Sequence, residues 1–308
     1  MKRRDNLSFQ HKPMRLNSKL FLASLLFSVS LTSYGVTPSA QSFANLNGNW
    51  RITGKQERNQ YPLLSATLTV VGNRIIGAGW YDVICTTKMS ERFDGNINFI
   101  GQIDSDGSFS LSSDTSGNDF PVLIKGTAPK AGSKTWNGSY TFNIPPYKPM
   151  GANPYGNCRS PQAGSFVATA IPPLNGTYVG AIDSKELDPG VIASIQISQQ
   201  DRNTQPIPFG INRCVYYLNS SISVRGTTLF THGTPRKTSF PPPGFPEAKI
   251  YGDHFSLNFE MDGGLPLMIW GRISDSSADT LVDVHYRVGC SDKGKCFPAS
   301  GTGTLTKQ

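Results

Sequence analysis

One phrase occurs twice in this chain. Leu46-Asn47-Gly48-Asn49-Trp50 returns as Leu174-Asn175-Gly176-Thr177-Tyr178, and the two begin 128 residues apart (174 less 46). A duplication on this scale restricts the fold to a unit that can be built twice in tandem. Asn-Gly suits a tight turn, because glycine takes positive φ without steric cost, and the aromatic residue beyond it can anchor a first strand in a core.

Behind each phrase the chain reads as short strands between turn residues. Copy one offers eight, at 49–54, 65–71, 74–83, 97–103, 108–113, 121–128, 135–142 and 165–170, several with period-2 alternation. Gly72-Asn73 and Asp104-Ser105-Asp106-Gly107 are turn signals between them. In Ala66-Thr67-Leu68-Thr69-Val70 the alternation turns Ala, Leu and Val inward and the threonines outward, as in an antiparallel sheet with one buried face.

Copy two answers in the same order. Ala193-Ser194-Ile195-Gln196-Ile197 matches Ala66 to Val70, and His254-Phe255-Ser256-Leu257 matches Ser108-Phe109-Ser110-Leu111. Leu267-Met268-Ile269-Trp270-Gly271 matches Val122-Leu123-Ile124-Lys125-Gly126. Tyr286 with Val288 matches Tyr140 with Phe142, and Gly303-Thr304-Leu305 matches Gly164-Ser165-Phe166. Long apolar stretches of helical period are missing after residue 45, and 31 glycines and 22 prolines favour turns. The expected fold is all-β, a tandem duplication of an antiparallel, roughly eight-stranded barrel or sandwich, with repeats at 45–171 and 174–308. Ile171-Pro172-Pro173 forms the joint, since neither proline can extend a ladder. The insertion 231–246 and the segment 145–155 read as proline-rich surface loops.

The N-terminus is laid out as a secretory signal peptide, expected over 1–44. Six basic residues against Asp5 precede the apolar run Leu20 to Leu31, and small residues follow, with Ser42-Phe43-Ala44 fitting the cleavage rule best. The run is short for a spanning helix. The leader carries five of the eight net positive charges, and the remainder lacks a dense basic block, so no nucleic-acid partner is implied. The expected destination is periplasmic, cell-surface or extracellular, with no stable membrane span once the leader is removed.

Export brings an oxidising compartment, and five cysteines follow the leader: Cys85, Cys158, Cys214, Cys290 and Cys296. Cys85 and Cys214 stand 129 residues apart (214 less 85), near the third strand of each copy, and one disulfide per copy is the economical reading. Cys85 pairs with Cys158 in this scheme. Cys214 pairs with Cys296, or alternatively Cys290, the remaining cysteine being free, paired between chains or exchanging. Zinc spacing is absent, so no metal is expected.

Catalytic signatures do not emerge. There is no Gly-x-Ser-x-Gly elbow, phosphate-cradling loop or His-Glu-x-x-His helix, and no cofactor is implied. His232, His254 and His285 fall only in copy two, which weighs against a catalytic role shared by both copies. Asp104, Asp106, Asp114, Asp119 and Glu260 lie mostly in Gly/Ser-rich turns and read as solvated loop groups. Asp104 to Ser108 begins like a calcium loop, but Thr115 stands where the distal Glu belongs. The aromatic doublets Trp80-Tyr81 and Tyr216-Tyr217 are the candidate ligand contacts, each with one ring in and one out.

Gly48-Asn49-Trp50, with Asn45 before it, resembles the Gly-x-Trp opening of lipocalins and related up-and-down barrels; copy two has Tyr178 for the Trp. The resemblance implies a barrel holding a small apolar ligand. The expected function is thus an exported, non-enzymatic tandem β protein that binds a small apolar or carbohydrate ligand. A structural or adhesive envelope module is the alternative, and a secreted hydrolase the third reading.

Overall fold

The computed structural model describes residues 43–55, 60–84, 92–113, 121–143, 162–183, 190–199, 207–208, 214–227, 231–237, 247–262, 264–274, 277–290 and 300–308. The expected leader lies outside these residues but for its last two positions. The side chains of Cys85, Cys158, Cys214 and Cys296 lie outside them too, as do Asp114 and Asp119.

Alternation in copy one produces eight strands: β1 (Gly48–Lys55), β2 (Gln60–Val71), β3 (Arg74–Ile84), β4 (Arg92–Ile103), β5 (Ser108–Ser113), β6 (Val122–Thr127), β7 (Thr135–Phe142) and β8 (Gln162–Ile171). Each pairs with the next, and β8 returns to β1, closing an up-and-down antiparallel barrel. Closure leaves no unpaired edge. Inward residues fill the interior with large rings. Trp136 meets Trp50, Phe109 and Phe166 edge-on, with centroids 5.9, 5.1 and 5.0 Å apart, and Phe99, Tyr140 and Phe142 join the same buried cluster.

Copy two supplies β9 (Gly176–Asp183), β10 (Ile192–Ser198), β11 (Ile207–Pro208), β12 (Cys214–Val215), β13 (Asn219–Arg225), β14 (His232–Pro235), β15 (Ala248–Tyr251), β16 (His254–Met261), β17 (Pro266–Ile273), β18 (Thr280–Val288) and β19 (Ser300–Lys307). Eight of these close a second ring, in the order β9-β10-β13-β14-β16-β17-β18-β19 and back to β9. One edge of β16 pairs with β17; the other is shared by β15 and β14. Apart from a single 3-10 turn at Ala44–Leu46, the described residues hold no helix, and none is long and apolar enough to cross a membrane.

The repeated phrase is duplicated in its bonding. Leu46 and Leu174 are both buried, and Gly48 and Gly176 both take positive φ, +119° and +132°. Asn47 Oδ1 accepts the Val70 amide at 2.7 Å, and Asn175 Oδ1 accepts the Gln199 amide at 2.6 Å. The phrase is therefore a clasp on the end of the following strand, not a tight hairpin turn. Trp50 Nε1 donates to Leu46 O and the Tyr178 hydroxyl to Ala278 O, each at 2.8 Å, so both anchors are buried with their polar atom satisfied. Burial first, and then Asp279, pushes the Tyr178 phenol up to about 12.

Three expectations need correction. The 231–246 insertion is not all loop, because β14 lies inside it and completes the second ring. Cys85 and Cys214 are not equivalent in ring order. Cys85 follows β3, the third strand of its ring, whereas Cys214 lies in β12, ahead of β13, the third strand of the other. The third correction concerns β2, where Thr67 and Thr69 do not face solvent: they are as buried as Ala66 and Leu68. The outer face of β2 is covered by the second barrel, and residues 41–308 form one compact unit.

The covering element is the β15–β16 hairpin, whose two-residue tip, Gly252-Asp253, presses on β2. Gly252 takes φ +68°, and a Cβ there would sit 2.3 Å from the Ala66 amide nitrogen. Its own amide donates to Thr67 Oγ1 at 2.9 Å. Nothing larger than glycine fits. Gly252→Ala should therefore destabilise the protein by at least the roughly 1–2 kcal/mol of a forced left-handed residue, with backbone displacement added. A fall in thermal midpoint of several degrees checks this; an unchanged midpoint would mean that the hairpin does not rest on β2.

A candidate ligand cleft between the barrels

The interface is built from outward positions. On the first barrel these are Asn49 and Arg51 of β1, Ser65, Thr67 and Thr69 of β2, and Ala78 and Trp80 of β3. Ala78 belongs to the second barrel's buried cluster. Asn49 and Gln199 exchange two amide hydrogen bonds, of 2.8 and 2.9 Å, and Gln199 Oε1 also accepts the Leu174 amide at 2.9 Å. One glutamine thus ties the first opening phrase to the second. The Tyr216 hydroxyl lies 3.0 Å from Thr69 Oγ1 and donates to Ile76 O at 3.2 Å.

At the hairpin tip sits a carboxylate that is almost wholly enclosed. Asp253 is 1% exposed, with Arg51 Nε at 2.8 Å, His254 Nδ1 at 2.8 Å and an Arg272 terminal nitrogen at 3.6 Å. The other arms of Arg51 donate to the carbonyls of Ile273 and Ser274. Burial pushes the Asp253 carboxyl up, but the His254 hydrogen bond and charge and the Arg51 guanidinium outweigh it. The net result holds the acid well below the ordinary carboxylate range. An ionised carboxylate can only accept, so His254 Nδ1 is the donor of the bond to Asp253.

Around this anchor opens a cleft of about 670 Å³, lined by Trp80, Tyr251, His254, Ser256, Trp270, Arg272, Asp283 and His285 among others. Two ring pairs stand in its wall. Trp80 stacks on His254 with centroids 5.0 Å apart and planes 17° from parallel, and Trp270 stacks on His285 at 5.5 Å and 19°. Register places them: His254 opposes Arg272, and Ser256, Trp270 and His285 lie side by side across β16, β17 and β18. A bulge in β18 interrupts the pairing between Leu281 and Val284, and Asp283 within it takes φ +50°. The strained residue carries its carboxylate to 3.7 Å from Arg272, a use of bulges to re-aim a side chain. Trp80 Nε1 and Arg272 Nε are buried without an acceptor among the described residues, at a cost of about 1–3 kcal/mol each.

Of the four aromatic candidates, Trp80 alone is among the residues lining this cleft. Tyr81 packs against the first barrel's core. Tyr216 and Tyr217 are both buried, so that doublet does not split one in and one out: the segment precedes β13 and is covered by the first barrel and, through a bridge to Lys249, by β15. His254 and His285 do line the cleft, although copy one has no counterpart for them. His232 begins β14, elsewhere. Asp104 and Asp106 behave as turn residues. Asp106 Oδ1 accepts both the amide and the hydroxyl of Ser108, at 2.8 and 2.7 Å, and Glu260 is exposed on β16.

Trp270, Arg272 and Asp283 were missed as site residues, yet Trp270 carried a signal. In Leu267-Met268-Ile269-Trp270 the alternation turns Trp270 outward, at the place of Lys125 in copy one. A large ring at an outward position where the sister copy keeps a lysine marks a covered or ligand-facing surface.

No protein-family model matches the chain, and no curated protein matches it. Among solved structures it is similar to kievitone hydratase from Nectria haematococca at 12% identity, covering 85% of this chain and 89% of that one, with a TM-score of 0.21. A likeness at that level supports neither fold nor activity.

The Asp253 geometry sets a pH dependence. A carboxyl lowered on folding contributes stability that is fully present above its unfolded pKa, near 4, and lost as pH falls through the folded value. Asp253→Asn should cost about 3–5 kcal/mol at neutral pH, because Arg51 and His254 lose their partner. It should also reduce the loss of stability on acidification below pH 4. Asp106 and Asp262 are lowered as well, so part of the slope persists. Denaturant titrations at neutral and acid pH check both effects, and an acid slope equal to that of the wild type would contradict the assignment.

Proposed function

We propose that this is an exported, non-enzymatic binding protein that takes a carbohydrate ligand in the cleft between its two barrels. The single observation that carries the reading is the pair of near-parallel ring stacks in one cleft, Trp80 on His254 and Trp270 on His285. Indole faces meet the apolar C–H face of a pyranose, and the neighbouring Ser256, Arg272, Asp283 and histidine nitrogens offer donors and acceptors to its hydroxyls. The ring-filled interior of the first barrel argues against an apolar ligand held there. The basic, apolar and small-residue segments of 1–44 support export. The disulfide-bonded state of Cys290 supports an oxidising destination; a non-reducing peptide map identifies its partner.

A second reading, hydrolysis, draws on His254, whose Nδ1 is fixed by a buried carboxylate as in a general base. Release of reducing ends from a bound glycan, lost in His254→Asn, would move the protein to that class.

Titration calorimetry against a panel of neutral and acidic sugars tests the main reading. Trp80→Ala and Trp270→Ala should each weaken a binding sugar tenfold or more, about 1.4 kcal/mol. Both variants binding like the wild type, or an apolar dye displaced from the protein where no sugar binds, would sink it.

A further inference from the structure

A second pocket lies along the strands that carry the cleft. Along the outer face of β16, β17 and β18 the register forms successive rungs. His254 faces Arg272; Ser256, Trp270 and His285 come next; Asn258, Met268 and Arg287 follow. Each rung is two residues further along the strands, so the first and third lie roughly 14 Å apart. At the third rung a second pocket, of about 280 Å³, is lined by Arg236, Glu247, Asn258, Met268 and Arg287 among others. Met268 and Trp270 are 42% and 37% exposed, two of the five large exposed apolar side chains among the described residues, and they stand next to one another on this face.

Charge differs between the two ends. At the first rung Arg272 is matched by Asp253 and Asp283. At the third rung Arg236 and Arg287 face a single carboxylate, Glu247, whose Oε2 already accepts from Asn258 Nδ2 at 3.3 Å. Neither guanidinium has an ion pair among the described residues. Planar forks of this kind bind carboxylates bidentately.

Resting on the carbohydrate reading of the cleft, we infer that the two pockets are subsites of one groove and that its ligand is a linear oligosaccharide bearing carboxylates. The ring stacks take one sugar at the interbarrel end, Trp270 and Met268 carry the chain across β17, and Arg287 with Arg236 holds an acidic sugar at the far end.

Calorimetry with oligogalacturonates from monomer to hexamer, beside neutral cello-oligosaccharides of the same lengths, tests this on the full protein. Affinity for the acidic series should rise at least tenfold from monomer to tetramer and then level off. Arg236→Ala with Arg287→Ala should remove that gain, leaving the thermal midpoint unchanged, since both side chains are exposed. Monomer binding that needs Trp80 but shows no gain with length, or a gain that survives loss of both arginines, would overturn the groove while leaving the cleft. A gain with length equal in the neutral series would overturn the acidic assignment. Failure of every sugar to bind would overturn both readings.

Discussion

A carboxylate sealed between two barrels is the constraint on which the rest of the structure depends. Asp253 is taken from water at the tip of a hairpin, and a lone ion there would be intolerable. Its partners come from three elements: Arg51 on β1, His254 on β16 and Arg272 on β17. Each partner has a further task. Arg51 also binds the carbonyls that end β17, His254 stacks on Trp80, and Arg272 turns its other arm to Asp283. Charge neutralisation in the joint thereby orients the groups that line the cleft.

The described cleft lies on the outside of the barrels. Eight strands can enclose a small ligand or be filled by side chains, and in the first barrel Trp50, Phe109, Trp136 and Phe166 do the filling. What remains open is the angle between two convex surfaces. A tandem duplication generates such an angle readily, because the two copies present different faces to each other. The first barrel contributes the face of β1, β2 and β3, whereas the second contributes a hairpin tip and the face of β16 to β18.

That asymmetry explains what the sequence disclosed and what it hid. All eight strands of copy one were legible from turn residues and, in several, from alternation, because a closed barrel with a filled interior favours period 2. The duplication was legible in the opening phrase, whose asparagine clasp and positive-φ glycine recur in both copies. Thr67 and Thr69 misled because alternation marks the face that the barrel's own core buries and says nothing of a second barrel laid over the other. Tyr216 and Tyr217 misled because they lie between an extra hairpin of copy two, β11–β12, and its third ring strand, in a segment that the first barrel and β15 cover. His254 and His285 have no counterparts in copy one. A site between unlike faces of two copies cannot have counterparts, and their absence was a sign of the interface. Of the site, Trp80 is legible in the sequence; the bulge that re-aims Asp283 leaves no mark in composition or period.

Arg51 and Asp253 join the barrels across the interface. A double-mutant cycle tests it most directly, with Arg51→Met, Asp253→Asn and the combined variant unfolded in denaturant at neutral pH. The account predicts a coupling between the two sites of about 1–3 kcal/mol, the double variant being less destabilised than the two single variants taken together. Additivity within about 0.3–0.5 kcal/mol, as for distant independent sites, would contradict it.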